Sequence, residues 1–135
     1  ALARWRQALP LDPAEPVVHT NIGSALADLG RHEEALAHFQ RAADLAPANA
    51  DILFNLGTGH LRLGQYRQAG LVFETVVGLR PDADSYSNLG WACLLDGRPD
   101  LAEGHLQRAL QLRPGHHAAT RGLDKLRARE GGSPP

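Results

Sequence analysis

Apolar residues recur every three or four positions along most of this chain, and proline or glycine interrupts them at regular intervals. Ile22, Leu26 and Leu29 follow this spacing and lead directly into Gly30. A second apolar stretch comes next and ends at Pro47, because proline cannot continue a helix and disfavours helical backbone in the residue before it. The spacing is typical of amphipathic helices, so it predicts a pair of helices joined by a tight turn.

The same pair of helices is predicted twice more along the chain. Asn49 is placed to cap the first helix of the second pair, and the third pair starts at Asp82. Pro99 falls in the first turn of a helix, where its missing N–H is not needed. Each pair turns at a glycine that we expect in the left-handed backbone conformation. The turn glycines are Gly30, Gly64 and Gly97.

Equivalent positions of the helix pairs keep a constant spacing. Pro13, Pro47, Pro81 and Pro114 are 34, 34 and 33 residues apart. Glycines within the first helices and alanines within the second keep the same step: Gly23, Gly57, Gly90, Ala35, Ala69 and Ala102. Glycine inside a helix costs about 1 kcal/mol relative to alanine, so its recurrence predicts a partner helix that crosses too closely for a Cβ. A period of this length predicts an all-α solenoid of stacked units.

The repeated residues also form a known motif. Leu56-Gly57 and Leu89-Gly90 stand in the first helices of their pairs. The second helix of the first pair carries Ala35, Phe39, Ala42 and Pro47. In this order and spacing the residues resemble the tetratricopeptide repeat. The resemblance implies a right-handed superhelical solenoid of antiparallel helix pairs that serves as a protein–protein interaction scaffold.

The repeats divide the chain into a series of segments. These are residues 1–14, the second helix of a partial repeat; 15–48, repeat 1; 49–81, repeat 2; 82–114, repeat 3; 115–130, a C-terminal capping helix; and 131–135, a disordered tail. The chain has no methionine and begins inside a repeat, so we expect a piece of a longer protein. Trp5 and Leu9 would then expose an apolar face that could self-associate or dock an upstream repeat.

A row of asparagines is the strongest candidate for a binding site. Asn21, Asn55 and Asn88 each lie two residues before the recurring glycine of a first helix. In the family that this chain resembles, the first helices line a concave groove. An amide can donate to a carbonyl and accept from an N–H, so such a row could hold the backbone of an extended peptide. Bracing between neighbouring repeats is the alternative role for these asparagines.

Neighbours on the same helix faces complete the predicted peptide-binding groove. They are Ser24, Asp28, Asp51, Phe54, Thr58, Arg62, Asp84, Trp91 and Leu95. Trp91 is the best candidate for a binding hot spot, and packing against the next helix is the alternative. A carboxylate clamp of the kind that holds chaperone C-termini is disfavoured, because the corresponding positions carry no positive charge. Those positions are Thr20, Ser24, Thr58, Ser87 and Trp91.

Composition narrows the classes of partner. A net charge of −1 at pH 7 disfavours a generic nucleic-acid binder, and no apolar run is long enough to insert into a membrane. The single cysteine, Cys93, excludes an intrachain disulfide, and we expect it in the core. Lys125 is the only lysine among 14 basic residues, a bias that we interpret as bacterial. Cytoplasm or periplasm would then be the compartment.

The histidines form no pattern that favours catalysis or metal binding. Adjacent residues such as His116 and His117 point to different sides of a helix, and so do His32 and His38, six apart. No phosphate-binding loop, nucleophile motif or cofactor motif is present in the sequence. We therefore expect a non-enzymatic scaffold without a cofactor that binds a protein or an extended peptide. A self-assembling module and the substrate-selecting region of a larger enzyme, such as a glycosyltransferase, remain alternatives.

Overall fold

The computed structural model describes residues 15–131, with side chains for residues 15–129. This part of the chain is entirely α-helical. Its helices are α1 (Pro16–Asp28), α2 (His32–Leu45), α3 (Ala50–Arg62), α4 (Tyr66–Leu79), α5 (Ala83–Leu95), α6 (Pro99–Leu112) and α7 (His117–Gly131). The predicted first helix, with Trp5 and Leu9, and residues 132–135 of the predicted tail lie outside the described residues.

The helix ends confirm the predictions made from capping residues. The Asn49 side chain accepts a hydrogen bond from the backbone N–H of Ile52 at 3.2 Å and so caps α3. Asp82, predicted only as the start of the third pair, also caps its helix: it accepts from the N–H of Ser85 in α5 at 2.9 Å. Pro99 occupies the first turn of α6. The three turn glycines adopt positive φ angles of 79°, 74° and 76°, as predicted.

The described chain forms two compact units, which divide between Gln65 and Tyr66. This division falls inside predicted repeat 2, between its first and second helices. In the first unit α2 packs against both α1 and α3. Phe39 of α2 is buried, and its ring lies so close to α1 that a Cβ on Gly23 would approach Cε1 to 2.7 Å. Glycine therefore permits the close helix crossing that its recurrence predicts.

In the second unit α5 is the central helix and packs against α4, α6 and α7. The core contains Phe73, Leu89 and Leu106. A Cβ on Gly90 would lie 2.7 Å from both Cγ and Cδ2 of Leu106, and 3.3 Å from the carbonyl oxygen of Ala102. The close crossing of α5 and α6 thus brings a large leucine, rather than only the small Ala102, against the glycine.

The length and hydropathy of the described helices were compared with those of a membrane-spanning helix. None of them combines the length and the apolar character that a membrane crossing requires.

Candidate functional site

A cleft of about 170 Å³ opens in the first unit, and most of its lining was predicted from the sequence. α1, α2 and α3 all contribute side chains to it. The lining residues are Ser24, Ala27, Asp28, Phe39, Asn55, Thr58, Gly59 and Arg62. Five of these belong to the predicted groove: Ser24, Asp28, Asn55, Thr58 and Arg62. The fold therefore brings residues from two first helices, about one repeat apart in sequence, into one concave site.

The polar groups of the cleft have capacity for a ligand. The half-buried Asn55 makes no side-chain hydrogen bond with another described residue, so its amide can still both donate and accept. Asp28 and Arg62 are exposed and form no ion pair within the described part of the chain. Thr58 donates its hydroxyl proton to the carbonyl of Phe54 at 2.9 Å, which leaves the hydroxyl oxygen able to accept. The cleft can thus satisfy both charged and neutral polar groups.

The other predicted residues of the first unit lie outside this cleft. Asn21 and Asp51 are exposed on α1 and α3, and Phe54 is half-buried. None of the three lines the cleft. Their role in binding stays a prediction.

In the second unit the predicted acidic residue Asp84 is already paired. Its carboxylate oxygen Oδ1 accepts hydrogen bonds from Nη2 of Arg113 at 2.6 Å and from Nε2 of His116 at 2.7 Å. The other ring nitrogen of His116 accepts from the backbone N–H of Ala119 at 3.2 Å and so caps α7. Asp84 therefore helps to position the start of α7 and offers less free negative charge than the sequence suggested.

Asn88, one turn after Asp84, retains part of its hydrogen-bonding capacity. Its Nδ2 group donates to the carbonyl oxygen of Asp84 at 2.8 Å within α5. The amide oxygen has no partner among the described residues and can accept from a ligand. Because Asn88 belongs to the second unit, its alignment with Asn21 and Asn55 stays a prediction.

Trp91 packs against α7, the second helix after its own, whereas the alternative predicted from the sequence was packing against the next helix. Its Nε1–H donates to the carbonyl oxygen of Ala118 in α7 at 2.9 Å. The guanidinium carbon of Arg121 lies 5.9 Å from the centre of the ring, and Nζ of Lys125 lies 6.0 Å from it. Trp91 is half-buried, and Leu95, one turn further along α5, is 40% exposed. Sequence reasoning missed both cations, because they lie outside the repeats.

Two groups with potential reactivity proved to be structural or paired. Cys93 is buried, as predicted, and burial raises the pKa of its thiol. Nδ1 of His19 lies 3.2 Å from Nδ1 of His38 on the facing helix, a pairing that the sequence spacing did not suggest. Within the described residues, no group of three or more His, Cys, Asp or Glu side chains could hold a metal ion.

Two family models match the chain over overlapping stretches. The one described as TPR repeat matches residues 23–64, and the one described as Tetratricopeptide repeat matches residues 54–117. Together they cover more than half of the chain. None of the curated proteins is significantly similar to it in sequence.

Solved structures of other proteins share the fold. A double mutant of MamA RS-1 superimposes with a TM-score of 0.89 at 27% identity, over 96% of this chain and 73% of the other. The first TPR of Spaghetti (RPAP3), bound to an HSP90 peptide, gives 0.80 at 23% identity, over 88% and 94% of the two chains. The second TPR domain of human RPAP3, in complex with an HSP70 peptide, gives 0.76 at 21% identity, over 83% and 98%. The repeat pattern, the helix pairs and these matches together establish that the chain belongs to the tetratricopeptide repeat family and has its all-α solenoid fold.

Proposed function

We propose that this protein binds an extended segment of a partner protein in the concave groove lined by the first helices of its repeats, with the cleft of the first unit as the main anchor. The single observation that carries the proposal is the convergence in that cleft of five residues predicted from the sequence. Family members of similar fold support it, since the first TPR of Spaghetti (RPAP3) and the second TPR domain of human RPAP3 have each been solved with a bound peptide.

The chemistry of the cleft suits a peptide backbone with alternating side chains. Asn55 can donate to a peptide carbonyl and accept from a peptide N–H, which holds the backbone without reading the sequence. Asp28 and Arg62 provide one charge of each sign, and the buried Phe39 contributes an apolar part of the cleft lining. Asn21, Asp51 and the other predicted groove residues would extend this contact along the bound segment. This is a binding role rather than a catalytic one.

A peptide selection tests the proposal directly. A displayed library of random dodecamers is selected against the 135-residue chain, and the affinity of one enriched peptide is then measured. Asn55→Ala removes up to two hydrogen bonds of about 1 kcal/mol each, so the peptide should bind roughly 30-fold more weakly. Ser24→Trp fills the cleft from an exposed position and should abolish binding.

The control variant carries a side chain of the same size outside the cleft. Ala37→Trp introduces a tryptophan at an exposed position of α2 that does not line the cleft, and its affinity should equal that of the original protein. Equal affinities for the Ser24→Trp and Ala37→Trp variants would refute the cleft as the anchor. A selection that enriches no peptide at all would refute the proposed function.

A further inference from the structure

The side chain of Trp91 is held in one orientation on the surface of the second unit. Its Nε1–H is fixed to the carbonyl oxygen of Ala118, and Cε2 of the indole lies 3.4 Å from the position that a Cβ on Gly122 would take. One edge of the indole is therefore packed against α7, and the residue as a whole is half-buried, so part of its surface stays accessible. A rigid indole with an accessible part gives contact area at little further entropy cost, which is one reason why tryptophan is enriched in binding hot spots.

Arg121 and Lys125 lie beside this indole, one turn apart on α7 and both exposed. Neither forms an ion pair with a carboxylate of the described residues, in contrast to Arg113 and Arg127. Arg113 pairs with Asp84, and Arg127 lies 3.6 Å from Asp124. Asp84, the acidic residue of α5, and Asp124, next to Lys125 on α7, are thus each engaged by another cation.

We propose that this face, formed by Trp91, Arg121 and Lys125, binds an acidic segment of the partner protein. The inference rests on the proposed function and names the partner chemistry: carboxylates that pair with Arg121 and Lys125, next to an apolar side chain that lies on the indole. Charge complementarity is the reason for this choice of partner, since two cations that pair with no carboxylate of the described residues can form charge-assisted hydrogen bonds with carboxylates of a ligand.

The neighbouring residues favour a peptide as the source of those carboxylates. Leu95, one turn after Trp91, is 40% exposed and extends the apolar surface, while the free amide oxygen of Asn88 can accept from a backbone N–H. A nucleic acid would need a more extensive set of cations, and the net charge of −1 at pH 7 provides no general attraction for phosphates. The positive charge comes from α7, so the face differs from a carboxylate clamp built on the first helices.

The test compares selections against charge-reversed proteins. The random dodecamer library is selected in parallel against the original chain, against Arg121→Glu/Lys125→Glu and against a control, Arg41→Glu/Arg67→Glu. The control has the same net charge as the reversed variant, but its substitutions lie at exposed positions of α2 and α4 that form no ion pair within the described residues. We expect enrichment of Asp and Glu with the original chain and the control, and enrichment of Lys and Arg with the reversed variant.

Affinity measurements complete the test. An acidic peptide selected on the original chain should bind the reversed variant at least about tenfold more weakly, and its affinity for the original chain should fall as salt rises. If circular dichroism shows that the reversed variant does not fold, the neutral variant Arg121→Gln/Lys125→Gln replaces it. We then expect a smaller loss of affinity for the acidic peptide. Peptides without acidic enrichment that are still lost on Ser24→Trp would overturn this inference and leave the proposed function intact. Absence of any enriched peptide would overturn both.

Discussion

Replacing Gly90 by alanine tests how closely α5 and α6 cross. Gly104, in the middle of α6, provides a matched control, because a Cβ there would meet no other atom within 4 Å. Both substitutions add one methyl group to the interior of a helix in the second unit. They differ only in what the methyl group contacts.

The expected effects have opposite signs. Alanine is favoured over glycine in a helix interior by about 1 kcal/mol, so Gly104→Ala should raise the free energy of unfolding by up to that amount. At Gly90 the same gain is opposed by contacts of 2.7 Å with Cγ and Cδ2 of Leu106. Leu106 is fully buried and cannot move aside freely, and overpacking of this kind costs about 1–3 kcal/mol. Gly90→Ala should therefore lose about 1 kcal/mol, which separates the two variants by about 2 kcal/mol.

The assay is equilibrium unfolding in guanidinium chloride, followed by far-UV circular dichroism on the original protein and both variants. The difference in unfolding free energy between the variants is the decisive quantity, since it cancels errors common to the extrapolations. If Gly90→Ala stabilises the protein as much as Gly104→Ala does, then the recurring glycine reflects no close helix crossing, and the packing argument is wrong.

Three further predictions concern single residues of the second unit. Gly97 has a φ of 76°, so Gly97→Ala should lower the free energy of unfolding by about 1 kcal/mol and Gly97→Asn by less, as measured by chemical denaturation. Burial alone would raise the pKa of Asp82, but the N–H of Ser85 and the charge of Arg80 outweigh it, and the pKa is lowered. The stability that Asp82 contributes is then present at neutral pH and lost as the pH falls below about 4, so Asp82→Asn should flatten the acid limb of a stability–pH curve. Cys93 is buried with a raised thiol pKa, so it should react with a disulfide reagent much faster in denaturant than in buffer; equal rates would contradict its burial.

Much of the fold could be predicted from the sequence because it depends on local interactions. A capping side chain bonds to an N–H three residues away, as Asn49 and Asp82 do, and a left-handed turn requires glycine where Gly97 stands. These contacts span only a few residues, so a linear pattern encodes them. Because the pattern repeats, it also indicated the family. The family in turn indicated which face of each first helix should contact a ligand. The cleft of the first unit contains five residues predicted on that basis.

Tertiary structure decided which of the predicted groups remain available. Asp84 pairs with Arg113 and His116, and Trp91 bonds to Ala118, contacts that join residues 27 to 32 positions apart. They depend on the register in which α7 packs on α5. That register follows from burying Leu123, Leu126 and Ala119 of α7 in the second unit, and from a close approach at Gly122. A repeat pattern does not encode it, because α7 lies outside the repeats and its packing depends on the combined shape of several helices.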